Sequence, residues 1–219
     1  MTSPLPTIVS PNYVGKRLFD TTAATIGIAV LGPILVLAAL AVAVSSRGPI
    51  LFTAVRVGRN GKPIKVHKFR SMRQSSNGPA ITSSHDPRVT ATGRVLRSLK
   101  IDELPQLFDV MVGSMSLVGP RPEDPRYVER YDDAQRVILT WRPGITSPAS
   151  IRYRHEEQLL AAAHDVDAAY LAVSRDKIAI DVEYFRDASF RGDLGVIART
   201  LGVILQRSEP LPSKVRATS

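Results

Sequence analysis

The sequence predicts a mainly α protein with a small β-hairpin. A membrane-inserted helix-break-helix is followed by a compact α/β domain that carries amphipathic helices for a membrane surface. Three observations lead there. Residues 21–46 contain no charged side chain. Two short β-favouring runs flank a Gly-Arg-Asn-Gly-Lys turn at 58–62, and Asn-Gly between such runs is a strong local hairpin signal. Much of the rest repeats its apolar residues at helical spacing between Gly and Pro stops.

Residues 1–12 hold Pro4, Pro6 and Pro11 among small polar residues and read as a flexible N-terminal tail. Residues 13–47 form the membrane element. As a straight helix the 21–46 run would be roughly 39 Å long, enough to cross a hydrocarbon core of about 30 Å. Gly32-Pro33 interrupts it: proline removes a backbone donor and clashes one turn back, which predicts a break at mid-depth. Basic residues lie on both sides, Lys16 and Arg17 before it and Arg47, Arg56, Arg59, Lys62, Lys65, Lys68, Arg70 and Arg73 after it. By the positive-inside rule both ends belong in the cytoplasm. A re-entrant element meets both facts, and an ordinary single-pass anchor is the alternative. A cleaved signal peptide fits least, because the apolar run is long and a basic stretch follows it. Asp20 is placed to pair with Lys16 or Arg17, or to face a site of chemistry.

Residues 48–205 are expected to form one domain. The hairpin comes first, and 74–87 then read as a loop rich in Ser, Gly, Asn and Pro. Asp102 sits like an N-cap, with Pro105 in the first turn and Gly113 as the stop of a short helix. That placement would lower the pKa of Asp102 and favour anions, although capping alone would explain both Asp102 and Glu103. Arg121 lies between Pro120 and Pro122, which preset its backbone for a ligand or for a pairing with Glu123 or Asp124. A helix is expected over 127–139, stopped at 141–144, with Trp141 in the core or at an interface. Further helices are expected over 165–187 and 192–205, and 206–219 form a flexible C-terminal tail.

The chain has 219 residues, a formal net charge of +9 and no cysteine. A disulfide framework, thiolate catalysis and a cysteine metal site are excluded. The charge suits nucleic acid, anionic lipid or phosphorylated substrates, and the membrane segment favours the last two over nucleic acid.

The motifs KRLFD at 16–20, KFRSM at 68–72, DPRVTATGRVLR at 86–97, IDELPQL at 101–107, MSLVGPRP at 115–122 and RPGIT at 142–146 occur in this order. With the proline-broken apolar segment, they resemble the bacterial sugar transferases of the small monotopic phosphoglycosyl transferase type. The end of the chain, DVEYF and SFRGDLGVIARTL, resembles them more loosely. Gly32 stands where many members have Ser, and Ser147-Pro148 where many have Gly after RPGIT. Longer members carry a large N-terminal membrane domain, so a minimal catalytic unit is expected here.

The resemblance implies that a UDP-sugar gives its sugar phosphate to undecaprenyl phosphate on the cytoplasmic face of the bacterial inner membrane, releasing UMP. Asp102 would be the nucleophile that forms an aspartyl phosphosugar, with Glu103 beside it. Asp102 and Glu103 would hold Mg²⁺, and Arg97, Arg121 and Arg88 would contact phosphate or nucleotide. Inner-membrane lipid would be a further partner, with a homodimer an open arrangement. A non-catalytic basic membrane scaffold and a UDP-releasing glycosyltransferase are the rival readings.

Overall fold

The computed structural model describes residues 13–73 and 88–205. The expected tails at 1–12 and 206–219 and the expected loop at 74–87 lie outside them.

Helix α1, Lys16–Ser45, is one unbroken element of 30 residues with Pro33 inside it. The expected division into two helices at Gly32-Pro33 is corrected in this respect. The fixed φ of proline is itself a helical value, so the loss of one hydrogen bond does not end the helix. Both halves of α1 pack on the same domain. Ala24, Ile28 and Leu31 join Val66, Leu107, Val110 and Met115. Leu35, Ala38, Ala39 and Val42 join Phe69, Leu96, Ile101 and Leu104. The other side of α1 exposes Ile26, Val30, Ile34, Leu37, Leu40 and Val44.

Strands β1 (Leu51–Val57) and β2 (Pro63–Phe69) pair antiparallel with Ala54 opposite Val66. The expected turn joins them, with Asn60 and Gly61 both at positive φ. The backbone around 74–87 is tied at its base: Arg73 N donates to Arg88 O and Thr90 N to Ser71 O. Helix α2 (Ala91–Ser98) is capped by Thr90. A Cβ on Gly93 would lie 2.0 Å from Ser71 O, so glycine is required where α2 crosses this strand end.

A single 3₁₀ turn, Ile101–Glu103, precedes α3 (Gln106–Val112), which ends at Gly113 in the left-handed region. Short strands β3 (Ser116–Val118) and β4 (Gly144–Thr146) run parallel. They bring MSLVGPRP against RPGIT at van der Waals limit, since a Cβ on Gly144 would lie 2.1 Å from Gly119 N.

The helix expected over 127–139 is corrected to three short pieces: α4 (Pro125–Val128), α5 (Asp133–Arg136) and a 3₁₀ turn, Val137–Thr140. A capping box between Asp132 and Gln135 restarts the chain there. Helices α6 (Pro148–Arg152), α7 (Glu156–Ala161), α8 (Val166–Arg186) and α9 (Phe190–Leu205) follow. The core between them contains Val118, Ile138, Trp141, Ile178, Phe185 and Val196. Trp141 is therefore a core residue. Helix α9 exposes Leu194, Leu201, Ile204 and Leu205.

The N-terminal end of α1 is held by a buried polar network. Lys16 Nζ lies 3.1 Å from Asp20 Oδ1 and 2.7 Å from Asp193 Oδ2, and neither carboxylate has any exposed surface. Ser116 Oγ and Leu117 N donate to Asp20, while Tyr13 and Tyr184 donate to Asp193. Asp20 thus takes the pairing role and ties α1 to β3. Lys16→Met would leave two buried carboxylates without their cation. It should lower unfolding stability by about 3 kcal/mol, measured by denaturant unfolding in lipid nanodiscs, with Lys16→Arg retaining most of it. A loss under about 1 kcal/mol would place the anchorage elsewhere.

Candidate active site

Asp102 and Glu103 lie in the 3₁₀ turn between α2 and α3, entered through Lys100 at φ 57°. Asp102 is 7% exposed, and its Oδ1 is buried with no hydrogen-bond partner. The N-cap expectation is therefore corrected: α3 starts four residues later, behind Pro105, and no side chain caps it. The expected lowering of the Asp102 pKa is corrected as well. Burial raises it, the neighbouring Glu103 raises it further, and Lys68, Lys100 and Arg97 oppose the rise.

Glu103 goes the other way. Burial works against its charge, but Lys68 and then Arg121 and Lys100 outweigh burial and hold its pKa at about 2. Lys68 Nζ donates to Glu103 Oε1 at 2.7 Å, and Arg121 Nη1 lies 4.0 Å from the same oxygen. Burial in turn pulls the Lys68 ammonium below its usual value, against the pull of Glu103. Two adjacent carboxyl groups are thus driven apart, which is how one fold separates the duties of paired acids. Glu103 is a fixed anion in an ion pair, and Asp102 is a poorly solvated carboxylate with a free oxygen.

Of the residues expected from sequence, the structure brings together Asp102, Glu103, Arg97 and Arg121. Arg97 acts on Asp102 from α2 and also contacts Met72 Sδ at 3.8 Å. Arg121 is half exposed and turned to Glu103, whereas Glu123 accepts from Tyr170 and Asp124 binds Arg56 and Arg126. Arg88 stands at the base of the 74–87 segment and is not among the cations that act most strongly on either carboxylate. Gly32 and Pro33 lie in α1, away from the acid pair in sequence and part of the membrane element. Lys68 and Lys100 are site residues that sequence reasoning passed over. Lys68 stood within KFRSM, but nothing in local spacing ties that motif to an acid pair 34 residues later.

Mg²⁺ fits the pair in a limited sense. Asp102 Oδ1 is a hard oxygen without a donor, and Glu103 is ionised but already engaged by Lys68. No group of three or more His, Asp or Glu able to hold a metal occurs among the described residues. Two carboxylates suffice only when substrate phosphates and water complete the shell, the usual way this ion is bound.

Beside Arg121 a cleft runs between Pro120-Arg121 and α8, lined also by Glu123, Trp141, Ser174, Lys177 and Asp181. Asp181 is 4% exposed, and burial pushes its pKa up to about 7 against the pull of the Ala149 N–H, the Ser147 hydroxyl and Lys177.

The sequence profile of the bacterial sugar transferase family matches residues 11–207. The chain belongs to this family. It is 36% identical over 215 residues to the UDP-glucose:undecaprenyl-phosphate glucose-1-phosphate transferase of Caulobacter vibrioides, covering 92% of this chain and 73% of that one. It is also 36% identical over 204 residues to the UDP-N-acetylgalactosamine-undecaprenyl-phosphate N-acetylgalactosaminephosphotransferase of Aeromonas hydrophila, covering 90% and 45%. A third relative, the exopolysaccharide production protein PSS of Rhizobium leguminosarum bv. phaseoli, is 36% identical over 215 residues, covering 90% and 98%.

The raised Asp181 pKa has a consequence for stability. The folded protein binds a proton that the unfolded chain releases near pH 4, so the contribution of this group is complete below that and is lost as pH rises through about 7. Asp181→Asn should flatten the fall of melting temperature between pH 4 and 8 relative to the unsubstituted protein. Parallel pH profiles for the two would contradict the assignment.

Proposed function

We propose that this protein moves a sugar 1-phosphate from a UDP-sugar to undecaprenyl phosphate at the cytoplasmic face of the bacterial inner membrane, releasing UMP and starting assembly of a surface polysaccharide or glycoconjugate. The observation that carries this reading is the Asp102 oxygen, buried without a partner beside a glutamate held ionised by Lys68. A carboxylate oxygen that no hydrogen-bond donor reaches is a reactive nucleophile. The motif match and the names of the relatives agree with it.

Asp102 attacks the β-phosphorus of the donor. The bond from that phosphorus to the bridging oxygen breaks, the oxygen leaves with UMP, and the sugar phosphate stays on Asp102 as an acyl phosphodiester. An oxygen of undecaprenyl phosphate then attacks the same phosphorus. The Asp102–phosphorus bond breaks, the carboxylate is restored, and the lipid carries a diphosphosugar. The lipid phosphate is already an anion, so the second step needs no strong base. Arg97 and Arg121 offset charge on the donor diphosphate, and splitting the transfer keeps the two anionic substrates from meeting. Asp102 and Glu103 would hold Mg²⁺ with the substrate phosphates, and the ion would supply further neutralisation of the diphosphate.

Residues 13–47 act as a one-sided membrane element of this catalytic domain, which extends over 48–205, with the unbroken α1 lying along the domain instead of turning back at Gly32-Pro33. What supports this is the continuity of packing along α1. Lys16, Asp20, Ala24, Ile28, Leu31, Leu35, Ala38 and Val42 all meet the one domain, never more than four residues apart. No stretch of about 20 residues is left to cross a bilayer unaccompanied, while the opposite face offers apolar side chains to lipid.

Purified protein in lipid with undecaprenyl phosphate, Mg²⁺ and a panel of UDP-sugars should release UMP only when the lipid is present or, in a single turnover, in proportion to enzyme. Asp102→Asn should abolish it, and Lys68→Met should slow it by about 10²-fold or more. Release of UDP would instead indicate transfer of the sugar alone. For topology, Val14→Cys and Lys62→Cys in this cysteine-free chain should both be labelled by an impermeant reagent only after the cytoplasmic side is opened. Labelling of one from the outside would sink the one-sided arrangement.

A further inference from the structure

Helix α8 places Ser174, Lys177 and Asp181 at intervals of three and four residues on its buried side, beside Ile178 and Phe185 of the core. Each is less than a tenth exposed. Helical periodicity favours apolar side chains at such positions, and a hydroxyl, an ammonium and a carboxyl in one row depart from it. Local departures of this kind mark places where stability has been traded for a task. All three line the cleft that opens at Arg121.

We propose that this cleft reads the hydroxyl or acetamido substituents of the donor's sugar, with Ser174, Lys177 and Asp181 as the groups that discriminate among sugars. The inference rests on the proposed reaction, because it takes the donor phosphate to lie at Arg121 and the acid pair. Arg121 belongs to both places: it forms part of the cleft wall, and its Nη1 is 4.0 Å from Glu103. A phosphate engaged there carries a sugar as its nearest substituent, one ester oxygen away, whereas the nucleoside is a second phosphate further. The cleft is narrow, with a cavity volume of about 40 Å³. That is too little for a pyranose ring and enough for a polar substituent, so the ring lies at the mouth beside half-exposed Arg121.

The chemistry of the lining suits such a task. Carboxyl and hydroxyl groups exchange hydrogen bonds with sugar hydroxyls, and an ammonium donates to hydroxyl or carbonyl oxygen. Trp141, which also lines the cleft, is buried and closes its inner wall. These groups are also held in place. Asp181 Oδ1 accepts from Ala149 N at 3.0 Å, and Lys177 Nζ lies 3.0 Å from Glu156 Oε2. A substituent that meets the remaining donor and acceptor capacity of these groups is favoured over one that does not.

The test uses the full chain in nanodiscs, with Ser174→Ala and Lys177→Met, each checked for an unchanged melting temperature. Calorimetry compares binding of UDP with binding of UDP-glucose, UDP-galactose and their N-acetylamino counterparts, and kcat/KM is measured across the same donors. The preferred UDP-sugar should bind about tenfold more weakly, one hydrogen bond's worth. The order of preference among sugars should narrow or change, and UDP affinity should stay within about twofold. Equal weakening of UDP and UDP-sugar would assign the cleft to the nucleoside and overturn the proposal. Unaltered binding and ranking would overturn it as well. The binding comparison needs no turnover, so it stands apart from the UMP assay that tests the reaction itself.

Discussion

The placement of Lys16 between Asp20 and Asp193 is the interaction on which the rest of the arrangement depends. An apolar helix alone has no reason to choose one position on a basic domain over another. A cation buried between two carboxylates does, because any other position would strand three charges in a medium that solvates them poorly. The network reaches Ser116 and Leu117 at β3 and Tyr184 in α8. In that way one contact sets the depth of α1 against the strand from which the Pro-Arg-Pro turn departs. Arg17 adds direction by donating to the Val110 and Met111 carbonyls at the end of α3. The membrane element and the helix that follows the acid pair are therefore one mechanical unit.

The acid pair shows how little charge counting says without burial. Asp102 and Glu103 are neighbours in one turn among the same cations, yet they respond in opposite directions. The difference lies in partners. Glu103 has the Lys68 ammonium in hydrogen-bond contact, while no donor reaches Asp102 Oδ1. Glutamate, one methylene longer, reaches across to β2, and aspartate stays within the fold of the turn.

Local signals carried much of the fold. The Asn60-Gly61 turn, the Gly113 stop and helices α8 and α9 were all readable, because each depends on dihedral preference or on one face of apolar spacing. The pieces that differed depend on contacts remote in sequence or on a backbone state that composition does not reveal. Lys100 adopts a left-handed conformation that costs a lysine energy, and this turns 101–103 into a 3₁₀ corner rather than the first turn of α3. The 127–139 stretch has helical periodicity, but Asp132 and Gln135 cap each other and restart it. Resemblance supplied Asp102, Glu103, Arg97 and Arg121. Lys68 depends on β2 passing the acid pair, and no pattern within KFRSM encodes that meeting.

The backbone tie between residues 71–73 and 88–90 bears on how such a chain can change. Met72 and Val89 bridge in antiparallel fashion, with hydrogen bonds from Arg73 to Arg88 and from Thr90 to Ser71 on either side. A closed base of this kind isolates the strand that carries Lys68 and the helix that carries Arg97 from whatever length of chain lies between. Closure entropy grows only slowly with added residues. Insertions between the two stitches can thus accumulate over evolutionary time, or be grafted by design as a reporter or affinity handle, without moving the two cations that face Asp102 and Glu103.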